Sequence, residues 1–423
     1  GSPSDRPRLV TRTPFGSRNP ETVPRCSQGR EGPCALLGCA FAREVTSDPE
    51  PGETFPCVPT RAASMSQAFP TTPSRGPQRT LLLSLLACSG ALVGCGPEPD
   101  LVIYVALDQV FSEELVNDFE AETGLNVRAE YDLEAQKTVG LVGRIIEEAK
   151  GGTRCDVFWN NEIAQTVHLE HLGLLQPYDS PSAADIPAEF RDPEFLWTGF
   201  AARARVLIVN TNLVQDPGKI RGMWDLHDPA WHGVCTVARP LTGTTLTHAA
   251  AMYETFGEEE ADRYWRFIAE HQSESPPAVN VARSNGQVMT LVADGQLAWG
   301  WTDTDDFNVA RLNSKPVMAI YPDQMEGPNG EPPLGTLLIP NTVCMIQDAP
   351  HPDNAKRFID WVLRKEVEDR LAHERSAQIP VRASVDRPPH VRNDIHVLKV
   401  DYDAVGRNMA AHTDHLRKMF LGE

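Results

Sequence analysis

None of the apolar runs in this 423-residue chain reaches the about 20 residues that a bilayer-spanning helix needs, and the run from Leu81 to Gly96 stops short of it. A bundle of membrane-spanning helices is therefore excluded. No internal repeat is visible, which sets aside repeat architectures. No CxxC spacing links the later cysteines, so neither a zinc ribbon nor a redox pair is expected. Cys155, Cys235 and Cys344 each lie in or beside an apolar run (CDVFW, GVCTVA, NTVCMI), where they read as small buried thiols. A disulfide between two of them stays open, because spacing along the chain does not give distance. Residues 1–64 lack any sustained apolar period of 2 or 3.6 and are dominated by Pro, Gly, Ser and Arg, so no fold is expected of them.

What is present begins with the run LLLSLLACSGALVGCG. Arg75 and Arg79 precede it, Leu92-Val93-Gly94-Cys95 closes it, and the polar stretch Gly96 to Asp100 follows. This layout is similar to a bacterial lipoprotein signal, with Met65 as a natural start. The reading that follows is a non-native or disordered extension over 1–64, a signal peptide over 65–94, and an acylated Cys95 with its linker over 95–100. The resemblance implies lipidation at Cys95 and a folded body held to a membrane of the cell envelope by its lipid anchor, periplasmic or on the outer surface.

The 329 residues from Cys95 onward exceed the size at which a single core keeps growing, so two lobes are expected. Setting aside the ten arginines and seven acids ahead of Cys95 leaves 29 basic and 51 acidic side chains, a net of −22. Such a surface argues against nucleic acid and anionic lipid as partners.

From Leu101 short apolar runs alternate with amphipathic helices, the pattern of an α/β layer. LVIYVA (101–106) reads as a buried strand. A helix follows, capped by Ser112, with Leu115, Val116 and Phe119 on one face and Gly124 at its end. NVRAEYD, a helix with Val142, Ile145, Ile146 and Ala149 inward, and the strand CDVFW come next. Polar loops open at Leu107-Asp108-Gln109 and Asn160-Asn161-Glu162, at strand ends, where open α/β sheets bind ligands. RARVLIVNTN (203–212) reads as a strand long enough to cross between lobes. Thr242, Gly243, Thr244 and Thr245 stand just ahead of a helix, where hydroxyls and backbone N–H groups hold an anion; an ordinary threonine-rich N-cap has the same signature. LAWGW ends in Thr302-Asp303-Thr304-Asp305-Asp306. Three carboxylates in four residues repel one another unless a cation, an ammonium or arginine sits among them, or unless they form a solvated acidic turn. His168, Glu170 and His171 read as a solvated helix face, since zinc needs a further ligand.

The ordered succession VIYVALDQVFSEELVNDFEAETG, DVFWNNEIAQTVHLEHLGLLQPY, GFAARARVLIVNTNLV, GTTLTHAAAMYETFG, SNGQVMTLVADGQLAWGWTDTDD, GTLLIPNTVCMI and SAQIPVR resembles the ferric-iron-type extracellular (periplasmic) solute-binding proteins of ABC importers. The resemblance implies an α/β fold of two lobes, the type II periplasmic-binding-protein fold, with a hinge crossed by two strands. One lobe would take 101–205 and about 335–385, the other 206–334 and about 386–423. It also implies a monomer that closes on a small ligand and delivers it to a membrane permease, with no resident cofactor and no catalysis.

In that family a histidine, a glutamate and two adjacent tyrosines hold iron. The matching places here are Asp108, Asn161, Asp305 and Asp306, so Asp108, Asp305 and Asp306 are the candidate metal ligands, with Asp303 beside them on the cation side. The family's anion-binding loop is matched by Thr242, Gly243, Thr244 and Thr245, its asparagine by Asn285 and its guanidinium by Arg203. Carboxylates on one side and an anion cradle on the other fit a hard cation such as Fe(III) with its counter-anion, a small aminophosphonate-like zwitterion, or a phosphorylated sugar. Iron stands first because the family implies it. On this reading Asp305 and Asp306 serve ligand alone, and removing both leaves folding stability nearly unchanged. Two other classes stay in view: a sensor that closes on ligand, and an enzyme using Cys155 as nucleophile. The latter suffers from apolar neighbours and the lack of a nearby histidine with an orienting acid.

Overall fold

The computed structural model describes residues 98–132, 139–326, 330, 332–392 and 394–422. Cys95, the signal-like run and the 1–64 stretch lie outside them. Among the described residues no helix is long and apolar enough to cross a membrane.

Ten strands form one continuous sheet in the order β2-β1-β3-β10-β5-β8-β6-β7, with β4 beside β10 and β9 beside β5. The strands are β1 (Leu101–Val105), β2 (Val127–Tyr131), β3 (Val157–Asn160), β4 (Leu175–Gln176), β5 (Thr198–Asn210), β6 (Cys235–Ala238), β7 (Asn280–Ala282), β8 (Trp299–Asp303), β9 (Val317–Ile320) and β10 (Leu338–Ile346). β1 pairs in parallel with both β2 and β3. Helices on both faces explain why β1 and β3 are buried throughout and read as unbroken apolar runs.

β5 joins the two halves of the sheet. Its residues 198–204 pair with β10, and 205–210 pair with β8 and β9. All thirteen of its residues are buried. The strand begins five residues before the run RARVLIVNTN, because Thr198 to Ala202, with Phe200 fully buried, pair with β10.

In the first half, α1 (Gln109–Thr123), α8 (Pro352–Val362) and α9 (Lys365–His373) cover one face. Phe119 meets Phe358 edge to face at 5.1 Å. α2 (Val139–Gly151) and α3 (Ala164–His171) cover the other. In the second half, α4 (Gly243–Phe256), α5 (Glu258–His271) and α10 (Tyr402–Leu421) form one layer, and α6 (Asn285–Ala293) with α7 (Thr304–Leu312) the opposite one. α10 packs on both α3 and α4; a Cβ on Gly406 would come within 2.5 Å of Val167, so only glycine lets the helices approach so closely.

Three local expectations are corrected. α1 starts at Gln109, and Ser112 is inside it, its hydroxyl donating to the carbonyls of Leu107 and Asp108 at 3.1 Å; Asp108 occupies the N-cap position instead. Ala149 is exposed and Leu141 takes the inward place on α2, because the helix presents its face one turn earlier. His168 and Glu170 are half-buried rather than solvated, with His168 Nδ1 3.3 Å from the Gly406 carbonyl of α10 and Glu170 accepting from Trp197 Nε1 at 2.7 Å, while His171 is exposed, its Nε2 2.9 Å from Asp403. Gly124 does end α1, in the left-handed conformation at φ 69°.

Candidate functional site

Every candidate residue sits at a strand end or in β5. Asp108 follows β1, Asn161 follows β3, Thr242 and Gly243 follow β6, Asn285 opens the helix after β7, and Asp303 to Asp306 follow β8. These are the carboxyl ends of two parallel sets, β1 with β3 and β6 with β7 and β8, and β5, antiparallel to β8, carries Arg203 and Arg205 between the sets. The loops and β5 enclose a solvent-open cleft of about 450 Å³. Its walls hold Asp108, Asn161, Arg203, Asp303, Asp305 and Asp306. Thr242 to Thr245 and Asn285 complete them, together with Arg239, Arg283, Ser284 and Gly286. The structure thus brings all eleven sequence-derived residues to one place.

It does not hold the two charge classes apart. Arg203 is 2 % exposed and donates from Nη1 to Asp305 Oδ2 at 3.1 Å; its Nη2 donates to the Asn161 carbonyl. Arg205, fully buried, donates from Nη1 to Asp303 Oδ1 at 2.8 Å. Asp303 Oδ2 accepts from the Thr244 hydroxyl at 2.5 Å and from Asn285 Nδ2 at 3.1 Å. Thr245 in turn donates to Asn285 Oδ1 at 2.9 Å. Three groups matched to the anion side therefore hold the protein's own carboxylates. Burial alone would raise the Asp303 pKa; the charges of Arg205 and Arg203 and the Thr244 hydrogen bond overcome it and hold this carboxyl below the ordinary value. Arg203 is driven the other way, its burial outweighed by Asp305, Asp303 and Asp108.

The acids are not a loose turn. Asp305 and Asp306 lie in the first turn of α7, where the helix dipole favours negative charge, and Asp305 is 3 % exposed. The expectation that Asp305 and Asp306 serve ligand alone is corrected for Asp305, which neutralises a buried guanidinium. Asp306 is partly open and accepts from the Thr302 hydroxyl at 2.6 Å. Asp303, Asp305 and Asp306 bring carboxylate oxygens within 4.8 Å of one another, enough for hard-cation ligation, and Asp108 is not in that group.

Arg205, Arg239 and Arg283 are the residues that the sequence reading missed. Arg205 left a signal in the doublet Arg203-Ala204-Arg205, since residues two apart on a strand share a face. Gly243 holds φ 56° with open space where a Cβ would point, so the turn into α4 needs glycine for its conformation rather than for room. Thr242 caps α4 without a side-chain hydrogen bond, which leaves the helix N-terminus facing the cleft.

Glu162, beside the cleft, is fully buried. It accepts from the Ala164 and Gln165 backbone N–H groups at 2.8 and 3.1 Å, and from Thr247 of α4. Burial pushes its pKa up. Cys155 lies away from the cleft, buried and free, and burial raises its thiol far above the range of a nucleophile. Cys235 and Cys344 are likewise free and buried.

Comparison with known proteins fits this architecture. Residues 114–399 match the family described as bacterial extracellular solute-binding protein. Iron uptake protein A1 of Synechocystis is 24 % identical over 330 residues, covering 73 % of this chain and 88 % of its own. The structure of iron-bound HitA from Pseudomonas aeruginosa superposes with a TM-score of 0.64 at 21 % identity, covering 76 % of this chain and 99 % of that one. AfuA from Actinobacillus pleuropneumoniae, solved with fructose-6-phosphate, gives 0.64 at 19 % identity over 76 % and 98 % of the two chains. The fold is that of the two-lobed periplasmic binding proteins. The chain belongs to the bacterial extracellular solute-binding proteins, the non-enzymatic envelope components that supply ABC importers with their small ligands.

Proposed function

We propose that this protein captures ferric iron, or a similar hard cation, together with its counter-anion, and delivers both to a membrane permease. The observation that carries this reading is the mixed charge of the cleft wall. Beside the pairs Arg203–Asp305 and Arg205–Asp303, the wall carries the acids Asp108 and Asp306 and the bases Arg239 and Arg283. Such a cleft suits a solute with both an electropositive and an anionic part. Carboxylate oxygens are hard ligands, matched to Fe(III) rather than to soft metals, and the names of Iron uptake protein A1 and iron-bound HitA favour iron. The metal is cargo, and the protein works without a resident cofactor.

A second reading has one specific observation in its favour. No tyrosine, histidine or cysteine is among the described residues lining the cleft. An aminophosphonate or a phosphorylated sugar would place its ammonium or hydroxyls on Asp108 and Asp306 and its anion opposite; the fructose-6-phosphate in AfuA supports this. In both readings the chain is anchored through acylated Cys95 after loss of its signal peptide, and acts as a monomer.

Native mass spectrometry with elemental analysis, on full-length protein purified without chelator, tests the choice. Stoichiometric iron with a small anion supports the first reading, and a bound organic phosphorus compound the second. Asp108→Asn with Asp306→Asn is expected to weaken binding of the captured solute at least tenfold. Unchanged affinity in that double variant would remove the assignment of the electropositive half.

A further inference from the structure

The tripeptide Val-Ala-Arg occurs twice around the cleft, at Val237-Ala238-Arg239 and Val281-Ala282-Arg283. β6 and β7 are parallel neighbours in the register Val237 to Val281 and Ala238 to Ala282. Arg239 and Arg283 are therefore the next pair in register, at the carboxyl ends of adjacent strands, and the Arg239 N–H donates to the Ala282 carbonyl at 2.9 Å. Both line the cleft. Each is followed within a few residues by a helix N-terminus, that of α4 after Arg239 and that of α6 after Arg283.

Unlike Arg203 and Arg205, these two guanidinium groups make no hydrogen bond or ion pair with any other side chain among the described residues, and the Arg239 Nε is shut off from solvent without a partner. Two adjacent like charges disfavour each other unless an anion lies between them. A monocarboxylate offsets one; a phosphoryl or phosphonyl group carries close to two charges at neutral pH and three acceptor oxygens, matching two planar forks and two helix N-termini.

We propose that Arg239 and Arg283 form a paired fork that selects a phosphoryl or phosphonyl dianion as the anionic part of the solute. This rests on the two-part capture reading and names the anion class for it. Inorganic phosphate accompanying a ferric ion and an organic phosphonate or phosphate ester share this chemistry.

Titration calorimetry of the full chain tests it with inorganic phosphate, 2-aminoethylphosphonate, glucose 6-phosphate and citrate, each with and without Fe(III). Wild-type protein is expected to bind at least one phosphorus probe, Arg239→Gln and Arg283→Gln each to weaken that binding tenfold or more, and Arg283→Lys to weaken it less. Because neither guanidinium bonds another side chain among the described residues, both glutamine variants should melt with the wild type. Phosphate bound only with Fe(III) identifies the counter-anion as the source; a phosphonate or ester bound without iron identifies an organic solute. Full-strength binding by both glutamine variants overturns the fork. So does wild-type protein that takes iron with citrate and no phosphorus probe, an outcome that leaves two-part capture standing. Failure to bind any probe, with or without iron, overturns both.

Discussion

Asp303→Ala is expected to destabilise the fold rather than merely empty the cleft. The Asp303 carboxylate accepts from Arg205 at 2.8 Å, from Thr244 at 2.5 Å and from Asn285 at 3.1 Å, and lies 3.9 Å from Arg203. Arg205 is fully buried in the middle of β5, so the alanine leaves a guanidinium with only threonine hydroxyls at 3.3 and 3.4 Å for company. Removing one partner of a buried pair costs about 3–5 kcal/mol. For the residues from Leu101 onward, about 2.1 cal/mol/K of unfolding entropy per residue sums to about 0.7 kcal/mol/K. The variant should therefore melt about 4–7 °C lower, followed by circular dichroism at pH 7 with no solute added. Asp306→Ala is the control, since its carboxylate is partly open to solvent; it should stay within about 2 °C. Equal melting of Asp303→Ala and wild type would refute the assignment of Asp303 as the counter-ion of Arg205.

Mild acid and the contact between α3 and α4 give two further tests. His248 is buried against Trp301, and burial, helped by the nearby Arg205, pushes its pKa down to about 3. The unfolded chain protonates this imidazole near its ordinary value while the folded one does not, so its contribution to stability is lost as pH falls from about 6.5 towards 3. At pH 5 the loss is about 2 kcal/mol, or about 3 °C. His248→Leu should lose about that much less melting temperature than wild type between pH 7 and pH 5; parallel curves would show that the imidazole is not held neutral. Thr247→Val removes a hydroxyl donor to the buried Glu162 carboxylate, an interaction between the start of α3 and α4. A hydrogen bond to a charged group is worth about 1.5–3 kcal/mol, so a fall of about 2–4 °C is expected, and no change would mean that Glu162 is satisfied by its helix N-cap bonds alone.

How far the sequence carried this structure depends on which interactions are local. The α/β alternation, the strand-end loops and the end of α1 at Gly124 are written in short stretches of apolar period and turn chemistry, and they were legible. The repulsion among Asp303, Asp305 and Asp306 was legible too, as a demand for positive charge nearby. Its answer was not: Arg203 and Arg205 are about a hundred residues away, and only the antiparallel pairing of β5 with β8, which sets Arg205 opposite Asp303, brings the charges together. Ser112 looked like a cap because it stands just ahead of the apolar face of Leu115, Val116 and Phe119, yet the helix begins one turn earlier, where Asp108 ends a strand loop.

The same pairing changes what the cleft asks of a solute. A carboxylate-rich loop read in isolation is a cation site. With β5 in place, two of its acids are already neutralised by Arg203 and Arg205, and a trivalent ion seated on them would have to compete with those guanidinium groups at about 3 Å. On the proposed two-part capture, the anion falls to Arg239 and Arg283 at the ends of β6 and β7. Because the two arginines come from in-register ends of neighbouring strands, their spacing is fixed by the sheet and not by loop adjustment. The anion end of the cleft is thus the more rigidly specified, and a solute's anion should govern recognition more than its cation does.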